Sequence, residues 1–203
     1  MLSVSSGPLT ALVAQGFLLC WNSLLGAVRS RWIILIGLFA FISLLAELVA
    51  NRSLLDIVVS YFMFDPVSYW FRKMIWDYGT ASVLNNPLLG TGFGEWKRPE
   101  WMGSSIDNFW LLHAVRYGLP AALLMPLAFF SIFAAVSFKK GLDAKLAEYR
   151  TGFLITMAAF FIVAWTVHFW DAAYVVFLFL MGSGVWMLDV SPKERSALEA
   201  QNV

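Results

Sequence analysis

Charge, histidine and cysteine are all scarce in this chain. Charged residues make up 13% of its 203 residues and hydrophobic residues 60%, which leaves too little polar surface to cover a soluble globule of this size. The net charge of +1 gives no overall field to attract nucleic acid, so no nucleic-acid partner is expected. The single cysteine, Cys20, excludes an internal disulfide. No Cys/His cluster, paired carboxylates or H-x-x-x-H spacing is present, so we expect no metal and no cofactor.

The high hydrophobic content and the long apolar blocks predict an all-α, polytopic integral membrane protein whose surroundings are a lipid bilayer. About 20 apolar residues are needed to cross a hydrocarbon core of about 30 Å. Five blocks have or approach this length: residues 9–28, 32–50, 119–138, 151–170 and 172–188. We expect the first block to be a retained span, because no basic segment with a cleavable small-residue site accompanies it.

The apolar blocks divide the chain into four parts. Residues 1–50 would form two transmembrane helices, 51–118 a long loop with interfacial helices, 119–188 three transmembrane helices, and 189–203 a cytoplasmic tail. The basic residues of the short connections fall on one side of the predicted membrane: Arg29, Arg31, Lys139, Lys140, Lys145, Arg150, Lys193 and Arg195. The positive-inside rule makes that side cytoplasmic and places the long loop in the periplasm of a bacterial inner membrane.

The long loop itself is predicted to contain two membrane-surface segments. Residues 54–64 are apolar but too short to cross, which fits an interfacial or re-entrant piece. A helix then starts at Pro66, with Asp65 suited to its cap. Its apolar stripe consists of Val67, Trp70, Phe71, Met74, Ile75 and Tyr78. Arg72 on the opposite face either binds phosphate through its fork of donors or contacts only lipid headgroups and water.

The segment from Asn85 to Pro120 is the long polar interruption between apolar blocks. Gly90, Gly92 and Gly94 permit close backbone approach to an anion or a sugar, or else form a flexible turn. Their spacing is wrong for a dinucleotide fingerprint. The tryptophans of this segment could stack on sugars, with basic residues beside them, or anchor at the membrane interface. Those residues are Trp96, Lys97, Arg98 and Trp101.

Asp107 could remove a proton from an attacking hydroxyl, or it could complete a helix capping box with Ser104. Asn108 and Arg116 are eight residues apart, which places them near one face if both lie on one helix. For His113 and His168, a packed and hydrogen-bonded ring is favoured over a proton-transfer group.

The order of these motifs resembles the O-antigen polymerase and O-antigen ligase superfamily, and most of all its exopolysaccharide polymerase-like branch. The motifs are S-V-S-S-G from Ser3, R-x-x-x-W from Arg72, N-P-L-L-G-T-G-F-G from Asn86, D-N-F-W-L from Asp107 and Y-G-L-P from Tyr117. The resemblance extends over most of the chain.

The resemblance implies a glycosyltransferase that moves glycan from an undecaprenyl-diphosphate carrier to an acceptor sugar in the periplasm, without metal or cofactor. Arg72 matches the family's arginine ahead of P-L-L-G-x-G and would hold the departing diphosphate. Asp107 would activate the acceptor hydroxyl. The further substrate-binding residues would be Arg98, Asn108, Trp110, Arg116, Gly92 and Gly94, with Arg98 and Arg116 as weaker diphosphate candidates.

Two departures from the family pattern shape the expectation. Ligases often have His-Asn where this chain has Asp107 and Asn108, which favours a polymerase over a ligase. Family members usually have about twice as many spans, so the chain is expected to correspond to the carboxyl-terminal half, as a shortened reading frame, a split subunit or an inactive remnant.

Two other classes of protein remain open. One is a non-enzymatic scaffold or regulatory subunit that acts with other polysaccharide assembly proteins. The other is a small transporter, which ranks last because only Glu47 and His168 approach the interior of a span.

Overall fold

A computed structural model describes residues 6–28, 30–50 and 66–189 of the chain. These residues form helices and no strand, so the prediction of an all-α protein is confirmed for them. The helices are α1 (Ser6–Leu24), α2 (Arg31–Ala50), α3 (Pro66–Asn85), α4 (Phe109–Phe138), α5 (Ala144–Ala164), α6 (Asp171–Ser183) and α7 (Trp186–Asp189). The predicted segment 54–64, the cap at Asp65, the first residues of the S-V-S-S-G motif and the tail beyond Asp189 lie outside the described residues.

Three segments are long and apolar enough to cross a membrane: Phe109–Phe138, Ala144–Ala164 and Asp171–Asp189. The protein is therefore a membrane protein with transmembrane helices, as its composition predicts. The apolar helical stretches Leu9–Leu24 and Arg31–Leu45 are shorter. The first two of the five predicted spans stay predictions.

The chain forms two compact units, Met1–Met74 and Ile75–Val203, which divide within α3. In the first unit, Arg31 closes the connection between α1 and α2. Its guanidinium donates hydrogen bonds to Gly26 O at 2.9 Å and Asn22 Oδ1 at 3.0 Å. Trp21 Nε1 also donates to Arg31 O at 3.0 Å. The arginine predicted as a cytoplasmic marker thus also fixes the helical connection.

In the second unit, α4, α5 and α6 run in alternating directions, so the unit has two distinct ends. At one end, Lys139 Nζ donates to Leu188 O and Arg150 Nη1 donates to Lys139 O at 2.9 Å. Asp143 caps α5 by accepting from Leu146 N at 2.7 Å. The basic cluster predicted between the spans therefore collects at this end, where α4 and α7 finish.

Aromatic side chains fill the core of the second unit. Three phenylalanines are almost completely buried: Phe109 and Phe129 from α4, and Phe177 from α6. The ring centroids of Phe109 and Phe177 are 5.2 Å apart, and those of Phe129 and Phe161 are 5.4 Å apart. Such pairs contribute about 0.5–1.5 kcal/mol each beyond the burial of their area. The core therefore holds the start of α4 firmly against α5 and α6.

The buried face of α3 differs from the apolar stripe predicted for it. In the second unit, α3 buries Ile75, Gly79, Ser82 and Val83, which follow one another at helical spacing. A Cβ on Gly79 would lie 2.7 Å from a methyl group of Leu111. Contact with α4 selects this face, because a glycine lets the two helices approach more closely than a larger side chain would.

Candidate functional site

The first 10 residues of α4 form a separate helical piece that ends at Gly118. Gly118 has φ 77° and ψ −172°, a conformation that favours glycine, and Pro120 lacks an N–H. The break leaves the carbonyls of Val115 and Arg116 without their helical partners. The predicted Y-G-L-P span start is thus a kink inside a longer helix, and α4 begins 10 residues earlier than the predicted boundary at Leu119.

The glycine-rich loop supplies the partners that the break removes. Thr91 N donates to Val115 O at 2.8 Å, and Gly92 N donates to Arg116 O at 2.9 Å. In return, Leu119 N donates to a loop carbonyl, Pro87 O, at 2.7 Å. The N-P-L-L-G-T-G motif and the Y-G-L-P motif therefore pair with each other through their backbones. We call this pairing the loop–helix lock.

Two glycines make the lock sterically feasible. A Cβ on Gly90 would lie 2.4 Å from Arg116 C, and a Cβ on Gly118 would lie 2.6 Å from Leu88 O. Both glycines also have positive φ. The close backbone approach that the sequence predicts at this motif is, for Gly90, an approach to its own chain. Gly92 has open space around its Cα, and Gly94 N donates to Thr91 O at 3.2 Å. Substrate binding by these last two glycines stays a prediction.

Asn108 joins the start of α4 to the α5–α6 connection. Its side-chain oxygen accepts from Leu111 N at 2.9 Å, which caps α4, and its amide nitrogen donates to Trp165 O at 3.1 Å. Phe109 N adds a bond of 3.2 Å to Val167 O. The helix is thus capped by Asn108 and not by Ser104, because Ser104 and Asp107 both precede its first turn.

A group of ionisable side chains lies around the contact between the start of α4 and the α5–α6 connection. It consists of Asp107, His113, Arg116 and His168, with the hydroxyl of Tyr174 beside it. His113 Nδ1 lies 2.7 Å from Phe109 O; because a carbonyl only accepts, Nδ1 carries the proton. His113 Nε2 is then the basic nitrogen, 3.4 Å from the Tyr174 hydroxyl. Asp107 Oδ1 accepts from the Ser105 hydroxyl at 2.7 Å. We call these four residues the ionisable cluster.

The electrostatics of the cluster act on His168. Burial, together with the nearby His113 and Arg116, lowers the pKa of His168 to about 4, whereas Asp107 opposes the shift. The ring stacks on Phe109 at 6.1 Å and meets Trp170 edge-on at 4.6 Å. His168 is therefore neutral at neutral pH. Its buried Nδ1 has no hydrogen-bond partner among the described residues.

Arg116 is the cationic member of the ionisable cluster. The guanidinium carbon lies 5.5 Å from the centroid of the Phe93 ring, and Phe93 in turn meets Tyr117 edge-on at 6.4 Å. Within the described part of the chain, the Arg116 side chain forms no hydrogen bond or ion pair. Its five N–H donors are available to an anionic ligand.

The remaining predicted residues lie apart from the cluster. Trp110 is buried in the aromatic core, 5.3 Å from Phe161 and 5.9 Å from Phe129 between ring centroids. Arg98 pairs with Glu95 and lines a separate polar cavity. Arg72 lies on the part of α3 that belongs to the first compact unit, whereas Asp107 and Arg116 belong to the second.

Sequence reasoning favoured packed rings for His113 and His168, and the structure brings both into the ionisable cluster. The fold shows that a ring can be packed and still stand beside charged groups. One signal in the sequence is the spacing of Phe109, His113 and Arg116 at i, i+4 and i+7, which puts the two ionisable side chains on the helical face of Phe109. No local signal brings His168 to that face, because the bond from Phe109 N to Val167 O spans 58 residues.

In comparisons with known proteins, no protein-family model, no curated protein and no solved structure matches this chain. The described residues also contain no group of three His, Cys, Asp or Glu side chains placed to hold a metal ion.

Proposed function

We propose that this protein is a polysaccharide polymerase-like glycosyltransferase that moves glycan from an undecaprenyl-diphosphate carrier to an acceptor sugar at the membrane surface. The observation that carries the proposal is the ionisable cluster at one end of three membrane-length helices. It joins an acid, a basic imidazole nitrogen and an available guanidinium beside the bilayer. The motif resemblance to O-antigen polymerases and ligases supports the same reaction.

The proposed reaction assigns a role to each member of the cluster. The acceptor hydroxyl oxygen attacks the anomeric carbon of the carrier-linked sugar, and the bond from that carbon to the diphosphate oxygen breaks. The hydroxyl proton passes to the Asp107 carboxylate, with His113 Nε2 as the second basic group in the cluster. Undecaprenyl diphosphate leaves with its negative charge stabilised by Arg116. Arg72 is the further diphosphate-binding candidate, on the strength of the family motif.

An apolar groove on a neighbouring face of α4 offers a place for the carrier's hydrocarbon chain. The groove has a volume of about 420 Å³ and lies between α3, α4 and α5. Its lining includes Trp76, Leu111, Pro126 and Phe130. Ala114, which also lines the groove, directly follows His113 on α4, so a lipid could place its chain in the groove and its headgroup near the cluster.

The proposed orientation follows from the two ends of the helical unit. The basic cluster from Lys139 to Arg150 collects at one end, and the ionisable cluster lies at the other. Under the positive-inside rule the basic end is cytoplasmic. The reacting end then faces the periplasm of a bacterial inner membrane.

Transfer by the purified full chain tests the proposal. In vesicles that contain an undecaprenyl-diphosphate oligosaccharide, we expect longer glycans on a gel. Asp107→Ala, Arg116→Ala and Arg72→Ala should each reduce transfer, by about 100-fold for a lost acid–base group. Lys140→Ala, at the basic end, is the matched control. Full transfer by both Asp107→Ala and Arg116→Ala would refute the assignment of the cluster.

A scaffold or regulatory subunit is the second candidate, and the loop–helix lock favours it. Gly90, Gly118 and Asn108 belong to the motifs that carry the resemblance, and their contacts maintain the fold. A motif whose residues maintain the fold does not by itself require the protein to catalyse a reaction. Absence of transfer by the wild-type chain, together with its copurification with polysaccharide assembly proteins, would select this candidate.

A further inference from the structure

A polar cavity of about 740 Å³ lies beside the last turn of α3, away from the apolar groove. Its walls come from that turn and from the loop before α4, including Asn85, Asn86, Thr91 and Lys97. All of these residues belong to the second compact unit. The volume is in the range of about 300–1,000 Å³ typical of small-molecule sites.

The floor of this cavity is fixed by hydrogen bonds. Trp96 is 6% exposed, and its Nε1 donates to Ser104 O at 2.9 Å. Lys97 N donates to the buried Ser82 hydroxyl at 3.1 Å. Arg98 Nε donates to Met102 O at 3.0 Å. A site whose supporting side chains are already held loses little conformational entropy when a ligand binds.

The groups left available in the cavity suit an uncharged ligand rich in hydroxyls. The side-chain amides of Asn85 and Asn86 form no hydrogen bond to the described residues, and each offers both donors and an acceptor. The charged lining residues balance in number, since the lining contains the basic Lys97 and Arg98 and the acidic Glu95 and Glu100. Neutral lining removes the electrostatic preference for an anion or a cation.

Thr91 connects this cavity to the ionisable cluster. It lines the cavity, and its backbone N–H and hydroxyl both donate to Val115 O, at 2.8 and 3.1 Å. Val115 immediately precedes Arg116 on α4. A ligand that contacts Thr91 in the cavity therefore lies beside the stretch of α4 backbone that carries the arginine of the cluster.

We infer that this polar cavity binds an uncharged saccharide, namely a segment of the acceptor glycan near the end that receives the transferred chain. The identification of this saccharide as the acceptor rests on the proposed function. The binding of a saccharide rests on the cavity alone. Asn85, Asn86 and Glu100 hydrogen-bond the sugar hydroxyls, and the fixed loop behind them sets the direction of the glycan.

Saturation-transfer NMR on the full chain in lipid nanodiscs tests the saccharide site, because nanodiscs avoid detergents with sugar headgroups. The probes are the neutral trisaccharides maltotriose, N,N′,N″-triacetylchitotriose and mannotriose. We expect at least one to bind, and the double variant Asn85→Ala/Asn86→Ala and the single variant Glu100→Gln to weaken it at least about tenfold. Glu148→Gln, an exposed change on α5, is the matched control. Binding of none of the three, or equal binding by the cavity variants, would overturn the inference.

The transfer assay separates this inference from the proposed function. Arg116→Gln should lose transfer and keep trisaccharide binding, since it lies outside the cavity. Cavity-dependent binding by a wild-type chain that transfers nothing would overturn the proposed function and uphold the saccharide site. Transfer that proceeds unchanged in Asn85→Ala/Asn86→Ala would overturn the acceptor site and uphold the proposed function.

Discussion

Replacing Gly118 by alanine should unlock the glycine-rich loop from α4. The new methyl group would lie 2.6 Å from Leu88 O and 2.7 Å from Pro87 O, and these are backbone atoms that no rotamer change can move. The backbone conformation of Gly118, with φ 77° and ψ −172°, is essentially confined to glycine and costs another residue about 1–3 kcal/mol. Gly90→Ala meets Arg116 C at 2.4 Å from the other side and should have a similar effect.

The displacement of the loop adds the larger part of the cost. Three backbone hydrogen bonds hold the lock, donated by Thr91, Gly92 and Leu119, and each contributes a net of about 0.5–1.5 kcal/mol. Together with the backbone cost, we expect Gly118→Ala to lower the free energy of unfolding by about 2.5–7.5 kcal/mol. That is a large fraction of the roughly 5–15 kcal/mol typical of a folded protein.

Unfolding in mixed micelles of increasing dodecyl sulfate content, followed by tryptophan fluorescence, measures this difference. Two other glycines provide matched controls. Gly92→Ala has φ 63° but open space, so only the backbone cost of about 1–2 kcal/mol applies. Gly152→Ala has open space within α5 and should stabilise by up to about 1 kcal/mol. If Gly118→Ala destabilises no more than Gly92→Ala, the lock does not hold the loop as described.

Three further predictions concern the cap, the pH response and the orientation. Asn108→Ala should cost about 2 kcal/mol of stability, because the helix loses its cap and Trp165 O its partner; the same unfolding titration measures it, and an unchanged midpoint would contradict it. The pKa of His168 falls from 6.5 to about 4 on folding, so the melting temperature should be highest above pH 6.5 and decline towards pH 4. His168→Gln should flatten this decline, and a wild-type melting temperature that does not change with pH would refute the prediction. In a Cys20→Ser background, Ser104→Cys in intact cells should react with an impermeant maleimide and Lys140→Cys only after permeabilisation; the reverse pattern would invert the proposed topology.

The sequence predicts correctly those features of the helices that depend on residues within one segment. The start of α3 at Pro66 and the apolar length of the last three spans are examples, because proline position and hydropathy act within one segment. The turn predicted at Asp171 is the first residue of α6, where φ is 42°. The connection before it, from Trp165 to Trp170, was predicted as helix instead.

The features that sequence reasoning placed differently depend on contacts between distant segments. Residues 165–170 leave the helix where Asn108 and Phe109 bind the carbonyls of Trp165 and Val167. The start of α4 is likewise set by these bonds and by the aromatic core. The resemblance predicts Asp107 as a catalytic residue and Arg116 as a weaker diphosphate candidate. Their neighbour His168 is distant in sequence, and only the fold brings it to them.

The loop–helix lock also sets an order of assembly. Residues 87–92 leave the ribosome before residues 115–119, so the loop exists before the carbonyls that it pairs with. Insertion of residues 119–138 into the bilayer is driven by apolar length and needs no loop. The kink above that span, however, can be completed only when Leu119 meets Pro87, which makes docking of the loop the late step in maturation of this end of the molecule. Substitutions in either the loop or the helical part of the lock should therefore leave membrane insertion intact. The resulting protein should be integrated in the membrane but lack the docked loop.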